Sequence, residues 1–246
     1  MNTLQMLRPS ATVKGFMQNL RKLSEVTAEL ARRKAIEKYL AAHEIKKLHL
    51  GAGLSTIPTW LATDLMPSSD EIIFLDATKR FPFPDGTFDY VFSEHMIEHL
   101  PWHKGLFMLK ECRRVLKPGG TLRVATPDLE ILLGLYKRDE APLHAEYIRW
   151  ITDLFILPYI PFKDERAYRS SIVINNAFRN WGHQFLYDGE LLSTTMQEAG
   201  FINIRRVAYG QSEDEHLRGL ESHGSIMGND KLVSFETMIF EATRPV

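Results

Sequence analysis

Residues 48–64, LHLGAGLSTIPTWLATD, decide the fold of this chain. A short apolar run ends on Gly51 and Gly53, and Asp64 follows thirteen positions after the first glycine. Glycines at the end of a buried strand let the backbone turn sharply and approach a bound nucleotide closely. The stretch therefore predicts a strand, a nucleotide-binding turn and a second strand that ends on an acid.

Short apolar segments like these recur along the first half of the chain. Five of them predict strands: IKKLHL (45–50), WLATD (60–64), IIFLD (72–76), DYVFS (89–93) and TLRVATP (121–127). Residues 94–116 have a helical pattern, with Pro101 ending a first short turn, and KPGG (117–120) predicts a turn. Near-continuous apolar strands with a helix between them indicate a parallel sheet buried on both faces.

The second half predicts a helix at 191–200 and two late strands, 201–210 and 231–242, as antiparallel neighbours. Between the two halves, residues 129–185 are aromatic and interrupted by prolines. We expect this segment to be a mostly helical insertion over the carboxyl edge of the sheet, where open α/β sheets bind ligands. It would serve as a lid or as an oligomer contact, including one in a homodimer.

Residues 1–43 predict an N-terminal helical extension. The stretch 14–43 lacks proline, and its apolar residues recur at helical spacing. These residues are Phe16, Leu20, Leu23, Val26 and Leu30. The predicted core then comprises 44–128 and 186–246, with 129–185 as the insertion.

Composition excludes several classes of protein. The 246 residues carry 30 Lys+Arg against 31 Asp+Glu, without the basic excess of a general nucleic-acid binder. No apolar run approaches the roughly 18 residues of a membrane span. The single cysteine, Cys112, allows no intrachain disulfide and fits a reducing compartment. We therefore expect a cytoplasmic protein with no membrane span and no nucleic-acid partner.

The spacing of the glycines and acids narrows the choice of nucleotide. A dinucleotide fingerprint needs a third glycine where Thr56 stands and an acid about 20 residues on, whereas Asp64 follows Gly53 by 11. The P-loop pattern is absent from the sequence. Asp64 and Asp76 each close a predicted strand, where a carboxylate can accept from ribose hydroxyls and from an adenine amino group. The pattern favours a nucleoside without phosphates, such as S-adenosylmethionine.

With these residues identified, the sequence resembles class I S-adenosylmethionine-dependent methyltransferases, and among them small bacterial members with a shortened first crossover. Four segments carry the resemblance: LHLGAG (48–53), LDATKRFPFPDGTFDYVFSEHMIEHL (75–100), LKECRRVLKPGGTLRVATPDLE (109–130) and FLYDGELLSTTMQEAGF (185–201). It implies an α/β, Rossmann-like fold with a seven-stranded, mostly parallel sheet whose last strand is antiparallel. Because only residues 51–59 join the first two strands, the first helix would be a turn or two at most.

The resemblance also implies a role for each site residue. Leu50, Gly51, Ala52 and Gly53 would contact the cofactor along the backbone. Asp64 would bind the ribose, Asp76 and Ala77 the adenine, and Ser93 and His95 would border the methionyl group and its methyl.

The sequence also offers candidates for a catalytic base, although the activated sulfonium needs mainly a well-positioned nucleophile. We expect His95, His183 and Tyr187 to contribute, with His99 and Asp188 as further candidates. His183 and Tyr187 belong to WGHQFLYD (181–188), which returns from the insertion to the sheet. The predicted activity is methyl transfer to the oxygen or nitrogen of a small-molecule or sugar-like acceptor.

Other histidines favour less specific interpretations. His95, His99 and His103 recur at metal-ligand spacing with Glu94 and Glu98 between them, but Pro101 interrupts the helical face and no cysteine joins them. We therefore expect no metal. Arg218 and His223 lie between the last two predicted strands, in a loop that starts at the carboxyl edge. Either could bind an anionic substrate, but the favoured expectation is a solvated loop.

Two other functions are compatible with parts of the pattern. A fold of this kind could have lost its chemistry and act as a binding or scaffold module, against which the retained glycines and acids argue. A nicotinamide-dependent oxidoreductase is disfavoured by the spacing from Gly53 to Asp64.

Overall fold

The computed structural model describes residues 11–137 and 142–246, with side chains described for 26–136 and 142–246. Contacts divide the chain into two compact units, Met1–Glu44 and Ile45–Val246. The first unit contains the helix α1 (Ala11–Ala42), where the N-terminal helix was predicted. The side chains of Phe16, Leu20 and Leu23 lie outside the described residues, so the apolar face predicted for them stays a prediction.

The second unit is built on a sheet of seven strands in the order β3-β2-β1-β4-β5-β7-β6. Strands β1 to β5 pair in parallel, and β7 runs antiparallel to both β5 and β6. This arrangement confirms the predicted fold class. The strands are β1 (Lys47–Leu50), β2 (Leu61–Asp64), β3 (Ile73–Phe74), β4 (Phe88–Glu94), β5 (Leu116–Pro127), β6 (Ile202–Val207) and β7 (Thr237–Thr243).

Helices follow the strands and fill the insertion. Several begin at polar residues whose side chains accept from a backbone amide of the first turn, which stabilises a helix start. Asp128, Asp188 and Asn229 each do so. The helices of this unit are α2 (Trp102–Val115), α3 (Leu129–Gly134), α4 (Pro142–Ile151), α5 (Ser170–Arg179), α6 (Gly189–Glu198), α7 (His223–Met227) and α8 (Asp230–Glu236).

Two predicted elements differ from the structure. The predicted strand 231–242 begins with α8, because the Asn229 side chain caps a helix there, and becomes β7 at Thr237. As predicted, Pro101 separates a first short turn, the 3₁₀ turn Ile97–His99, from the helix α2. Strand β5 also includes KPGG, which was predicted as a turn.

The bridge between β1 and β2 is as short as the sequence indicates. Every residue from 51 to 60 is described, and none of them is helical.

The central strands are buried on both faces, as the apolar runs predict, with Leu48, Val91 and Leu122 fully inaccessible.

Strand register determines what meets at the carboxyl edge of the sheet. Leu50 pairs with Ser93, and Ser93 pairs with Val124. The residues that follow these positions therefore lie side by side: the glycine turn, the segment from Glu94 to His99, and the start of the insertion.

The insertion forms its own apolar cluster. Tyr147, Ile151, Val173 and Ile174 are buried there, with Trp150 and Phe155 packed against them.

Within residues 11–137 and 142–246, no helix combines the length and apolarity that a membrane crossing requires.

Candidate active site

The glycine turn and Asp64 contact each other directly. Gly51 and Gly53 adopt positive φ angles of 69° and 57°, and a Cβ at Gly51 would collide with Met96 Cγ. Asp64, at the end of β2, accepts from the Gly53 amide at 2.9 Å and from the Met66 amide at 2.7 Å. The acid therefore fixes the turn while keeping further acceptor capacity, since a carboxylate has about four lone-pair sites.

Asp76 lies two residues beyond β3 in a tight turn. Its Oδ1 accepts from the Thr78 amide at 3.0 Å and from Thr78 Oγ1 at 2.6 Å, and its Oδ2 lies 3.0 Å from Lys79 Nζ. Burial opposes ionisation, but the bonds from Thr78 and Lys79 outweigh it and lower the pKa of Asp76. Asp76 is thus a carboxylate, and Ala77 is the half-exposed residue beside it.

A small cavity of about 220 Å³, here called the glycine-side cavity, opens beside the turn. Gly51, Ala52 and Gly53 line it, whereas Asp64 and Asp76 lie outside its walls. The other lining residues are His49, Leu54, Ser55, Glu94, His95, Ser222, His223 and Ile226.

Two of the predicted cofactor residues lie beneath this cavity rather than on its wall. Leu50 and Ser93 are fully buried in adjacent strands. The Ser93 hydroxyl has no hydrogen-bond partner among the described residues. Neither residue is among those that line the glycine-side cavity.

Sequence reasoning missed His49. It is 3% exposed in β1, lines the glycine-side cavity and stacks on Phe92 with ring centroids 5.2 Å apart. Burial lowers the pKa of His49 to about 4, so its ring is neutral at pH 7. A histidine inside the otherwise apolar run LHL was the signal that could have identified it.

Glu94 is a second residue that sequence reasoning did not select for the site. It ends β4, lines the glycine-side cavity and accepts from the Ser222 and His223 amides at 3.0–3.1 Å. Burial raises its pKa. Glu94 thereby holds the segment that precedes α7 against the sheet edge.

A buried ion cluster anchors the same segment. Arg123 in β5 is fully buried and lies 2.6 Å from Glu221 Oε1 and 2.6 Å from Glu241 Oε1. It also donates to the Gln211 carbonyl at 2.9 Å. The loop from Gln211 to Glu221 is thus bonded to the centre of the sheet, next to His223.

His95 occupies a strained position directly after β4. Its φ is 44°, which is uncommon for a residue other than glycine and recurs at functional sites. Its Nδ1 lies 3.3 Å from Glu98 Oε1, and its Nε2 is 3.0 Å from Thr237 Oγ1. Burial disfavours the imidazolium, but the adjacent carboxylates, Glu98 above all, outweigh burial and raise the pKa of His95.

His223 lies against His95 instead of on a solvated loop, so that prediction was wrong. The two rings stack with centroids 4.1 Å apart and an interplanar angle of 19°. Burial, followed by the neighbouring His95, lowers the pKa of His223 to about 4. Arg218, by contrast, is exposed and donates to the carbonyls of Ser212 and Glu213.

A second cavity of about 300 Å³, here called the aromatic cavity, lies on the other side of this histidine pair. His95 and His223 line both cavities. The aromatic cavity has apolar walls and one polar end. The walls are Pro127, Leu132, Trp150, Ile151, Phe155, Ala177, Trp181 and Met227, and the other polar residues are Glu98, His99, His183 and Glu236.

His183 lines the aromatic cavity. Its Nδ1 lies 2.7 Å from the Ala177 carbonyl, so that nitrogen carries the proton and Nε2 keeps its lone pair. The returning segment is bonded to the 3₁₀ turn, because the Gln184 and Phe185 amides donate to the Glu98 carbonyl at 2.8 and 3.1 Å.

Tyr187 and Asp188 do not line either cavity. Tyr187 is fully buried, and a Cβ at Gly105 would lie 2.5 Å from its hydroxyl, which points toward α2. Asp188 caps α6 through the Leu191 amide. Tyr187 lies outside the cavity that His183 lines, so the structure does not support Tyr187 as a base.

Residues 48–124 match the family model of the methyltransferase domain. Among curated proteins, the demethylmenaquinone methyltransferases of Staphylococcus aureus strains JH9 and Newman are 30% identical to this chain over 129 residues. The match covers 51% of this chain and 45% of each relative. The chain therefore spans about half the length of the curated relatives it matches.

Solved structures of similar fold include two further methyltransferases. An S-adenosylmethionine-dependent methyltransferase of Thermotoga maritima is 17% identical, with 91% of this chain and 97% of that chain covered and a TM-score of 0.46. Phosphoethanolamine N-methyltransferase 2 of Haemonchus contortus is 14% identical, with 82% and 49% covered and a TM-score of 0.46. Structural similarity at this level of sequence identity gives no information about a methyl acceptor. The sheet has the strand order of the class I methyltransferase fold, and residues 48–124 within it match the methyltransferase domain model.

Proposed function

We propose that this protein transfers the methyl group of S-adenosylmethionine to the oxygen or nitrogen of a small molecule bound in the aromatic cavity. One observation carries the proposal: the two cavities meet at the stacked pair His95 and His223, which lines both of them. A donor on one side and an acceptor on the other can then approach each other across this boundary, shielded from bulk water.

The residues of the glycine-side cavity fit the cofactor. Its volume of about 220 Å³ is below the ~300–1,000 Å³ of complete ligand pockets, so it suits the methionyl end alone. The remaining lone pairs of Asp64 would accept from the ribose hydroxyls, and Asp76 with the Ala77 amide would meet the adenine. Neither interaction requires the bonds to Gly53 or Thr78 to break.

S-adenosylmethionine supplies an activated methyl group, so the protein mainly positions the acceptor and removes its proton. The apolar walls would bind the body of the acceptor, and the polar end would bind its hydroxyl or amine. His183 lines this cavity, and the free lone pair of its Nε2 would accept the proton that the nucleophile loses. His95, held by Glu98 and Thr237, would orient the reacting groups.

The test uses a substitution that fills the aromatic cavity. Ala177 lines this cavity from α5 and is 5% exposed. Ala177→Trp should abolish formation of S-adenosylhomocysteine from a pooled set of phenols, sugars and amines, while cofactor affinity stays within about twofold. Ala145→Trp, on the exposed side of α4, is the matched control and should retain turnover. Equal turnover in Ala177→Trp and wild type would place the acceptor elsewhere and refute the proposal.

A further inference from the structure

We propose that Glu98, His99 and His183 bind a divalent transition-metal ion at the polar end of the aromatic cavity. Each offers one ligand atom, and the three atoms all lie within 4.8 Å of one another. Of the three histidines at four-residue spacing in the sequence, His99 belongs to this group and His95 and His103 do not. His103 is exposed on α2, and the second imidazole comes from the segment that follows the insertion.

The protonation of His183 suits a metal ligand. Its Nδ1 donates to the Ala177 carbonyl at 2.7 Å, which leaves Nε2 unprotonated and fixes the ring. Metal-binding histidines usually donate their other ring nitrogen to a carbonyl or carboxylate in this way. The ring of His99 lies 4.9 Å from that of His183 at an interplanar angle of 77°, so the two imidazoles approach the same space from different directions.

Glu98 supplies a carboxylate that is fully buried. Its Oε2 accepts from Thr126 Oγ1 at 2.9 Å, which orients the group. Its Oε1 makes no hydrogen bond of ordinary geometry and faces His95 Nδ1 at 3.3 Å. A buried carboxylate needs a neighbouring positive charge to compensate it, and a metal ion would supply one in addition to His95.

Hydrogen bonds to two main-chain carbonyls hold the ligand-bearing segments together. The Gln184 amide donates to the Glu98 carbonyl at 2.8 Å, and Gln184 Nε2 donates to the His99 carbonyl at 2.7 Å. The ligands therefore need side-chain rotation alone. Metal bonds of about 2.0–2.2 Å place ligand atoms about 3.0–3.5 Å apart, so closure from within 4.8 Å requires movements on the order of 1 Å.

Two imidazoles and one carboxylate suit zinc, iron(II), manganese or cobalt. Three protein ligands also leave coordination positions open toward the cavity. An acceptor hydroxyl bound there would lose its proton to solvent more readily, because a metal ion lowers the pKa of a bound oxygen. With the metal bound, His183 Nε2 would be a ligand, and the metal would replace it as the group that activates the hydroxyl. The acceptor oxygen would then bond to the methyl carbon as the carbon–sulfur bond breaks, and the electron pair would remain on sulfur. This role rests on the proposed function and narrows the acceptor atom to oxygen, whereas metal binding itself does not depend on it.

The test titrates the chelator-treated full chain with Co²⁺, followed by visible absorption and by metal content after gel filtration. Wild type should bind about one Co²⁺ per chain, and His183→Ala and Glu98→Gln should each weaken binding at least tenfold. His103→Ala, an exposed histidine near the site, is the matched control and should bind as wild type does.

Two results would overturn the metal site: no Co²⁺ bound by wild type, or equal weakening in His103→Ala and His183→Ala. Calorimetry with S-adenosylmethionine on the same samples shows that the variants are folded. If wild type binds Co²⁺ at the site but not S-adenosylmethionine, the proposed function fails and the metal site stands.

Discussion

Replacing Asp64 with alanine should weaken cofactor binding by a predictable amount. In the free protein, Asp64 already accepts from the Gly53 and Met66 amides, and two ribose hydroxyls would add to these bonds. Hydrogen bonds to a charged group contribute about 1.5–3 kcal/mol, which corresponds to roughly a 10- to 150-fold increase in Kd. Loss of the two amide bonds should also lower the free energy of unfolding by about 1–2 kcal/mol.

Calorimetric titration with S-adenosylhomocysteine, paired with urea unfolding, separates the two effects. Asp70→Ala is the matched control, because Asp70 is an exposed acid in the same β2–β3 connection. It should leave both affinity and stability unchanged within about 0.5 kcal/mol. If Asp64→Ala binds as tightly as wild type, or if Asp70→Ala loses as much affinity, Asp64 does not bind the ribose.

Three further predictions concern the frame of the site. Gly51→Ala should destabilise the protein by more than Gly86→Ala, because both have positive φ but only at Gly51 would the new Cβ meet a side chain, that of Met96; equal melting temperatures would contradict this. The pKa of His49 is lowered to about 4, so its contribution to stability is complete above pH ~6.5 and is lost as the pH falls toward 4, by up to about 3 kcal/mol. His49→Gln should therefore make the free energy of unfolding, measured in urea, less dependent on pH in that window. Equal losses in the variant and the wild type would refute this role of His49. Arg123→Met should cost about 3–5 kcal/mol in urea unfolding, since it leaves Glu221 buried without its ion partner and Glu241 with Arg205 alone, and adding Glu221→Gln should recover part of the loss.

The sheet could be predicted from the sequence because its signals are local. Apolar runs such as LHL and YVF are buried on both faces, and each lies where a parallel strand was expected. The prediction was wrong at 231–236, because the cap formed by Asn229 turned an apolar stretch into α8 before β7 could begin. The apolar pattern of 231–236 is compatible with a helix or a strand, and the hydrogen bond from the Leu232 amide to the Asn229 side chain favours the helix.

The site was less predictable because its histidines meet through contacts distant in sequence. His183 could be placed near the sheet edge, since the insertion must return there. His223 could not, because its position depends on amide bonds to Glu94 and on the buried cluster around Arg123. Tyr187 was misplaced because the sequence does not show which way a side chain points in a segment outside regular structure.

The measurement that tests the central claim most directly is a crystal structure of the full chain with S-adenosylhomocysteine bound. We predict that the ligand places its amino-acid end in the glycine-side cavity, its ribose on Asp64, and its sulfur facing the stacked rings of His95 and His223. A ligand bound elsewhere, or a sulfur directed away from the aromatic cavity, would contradict methyl transfer across that histidine pair.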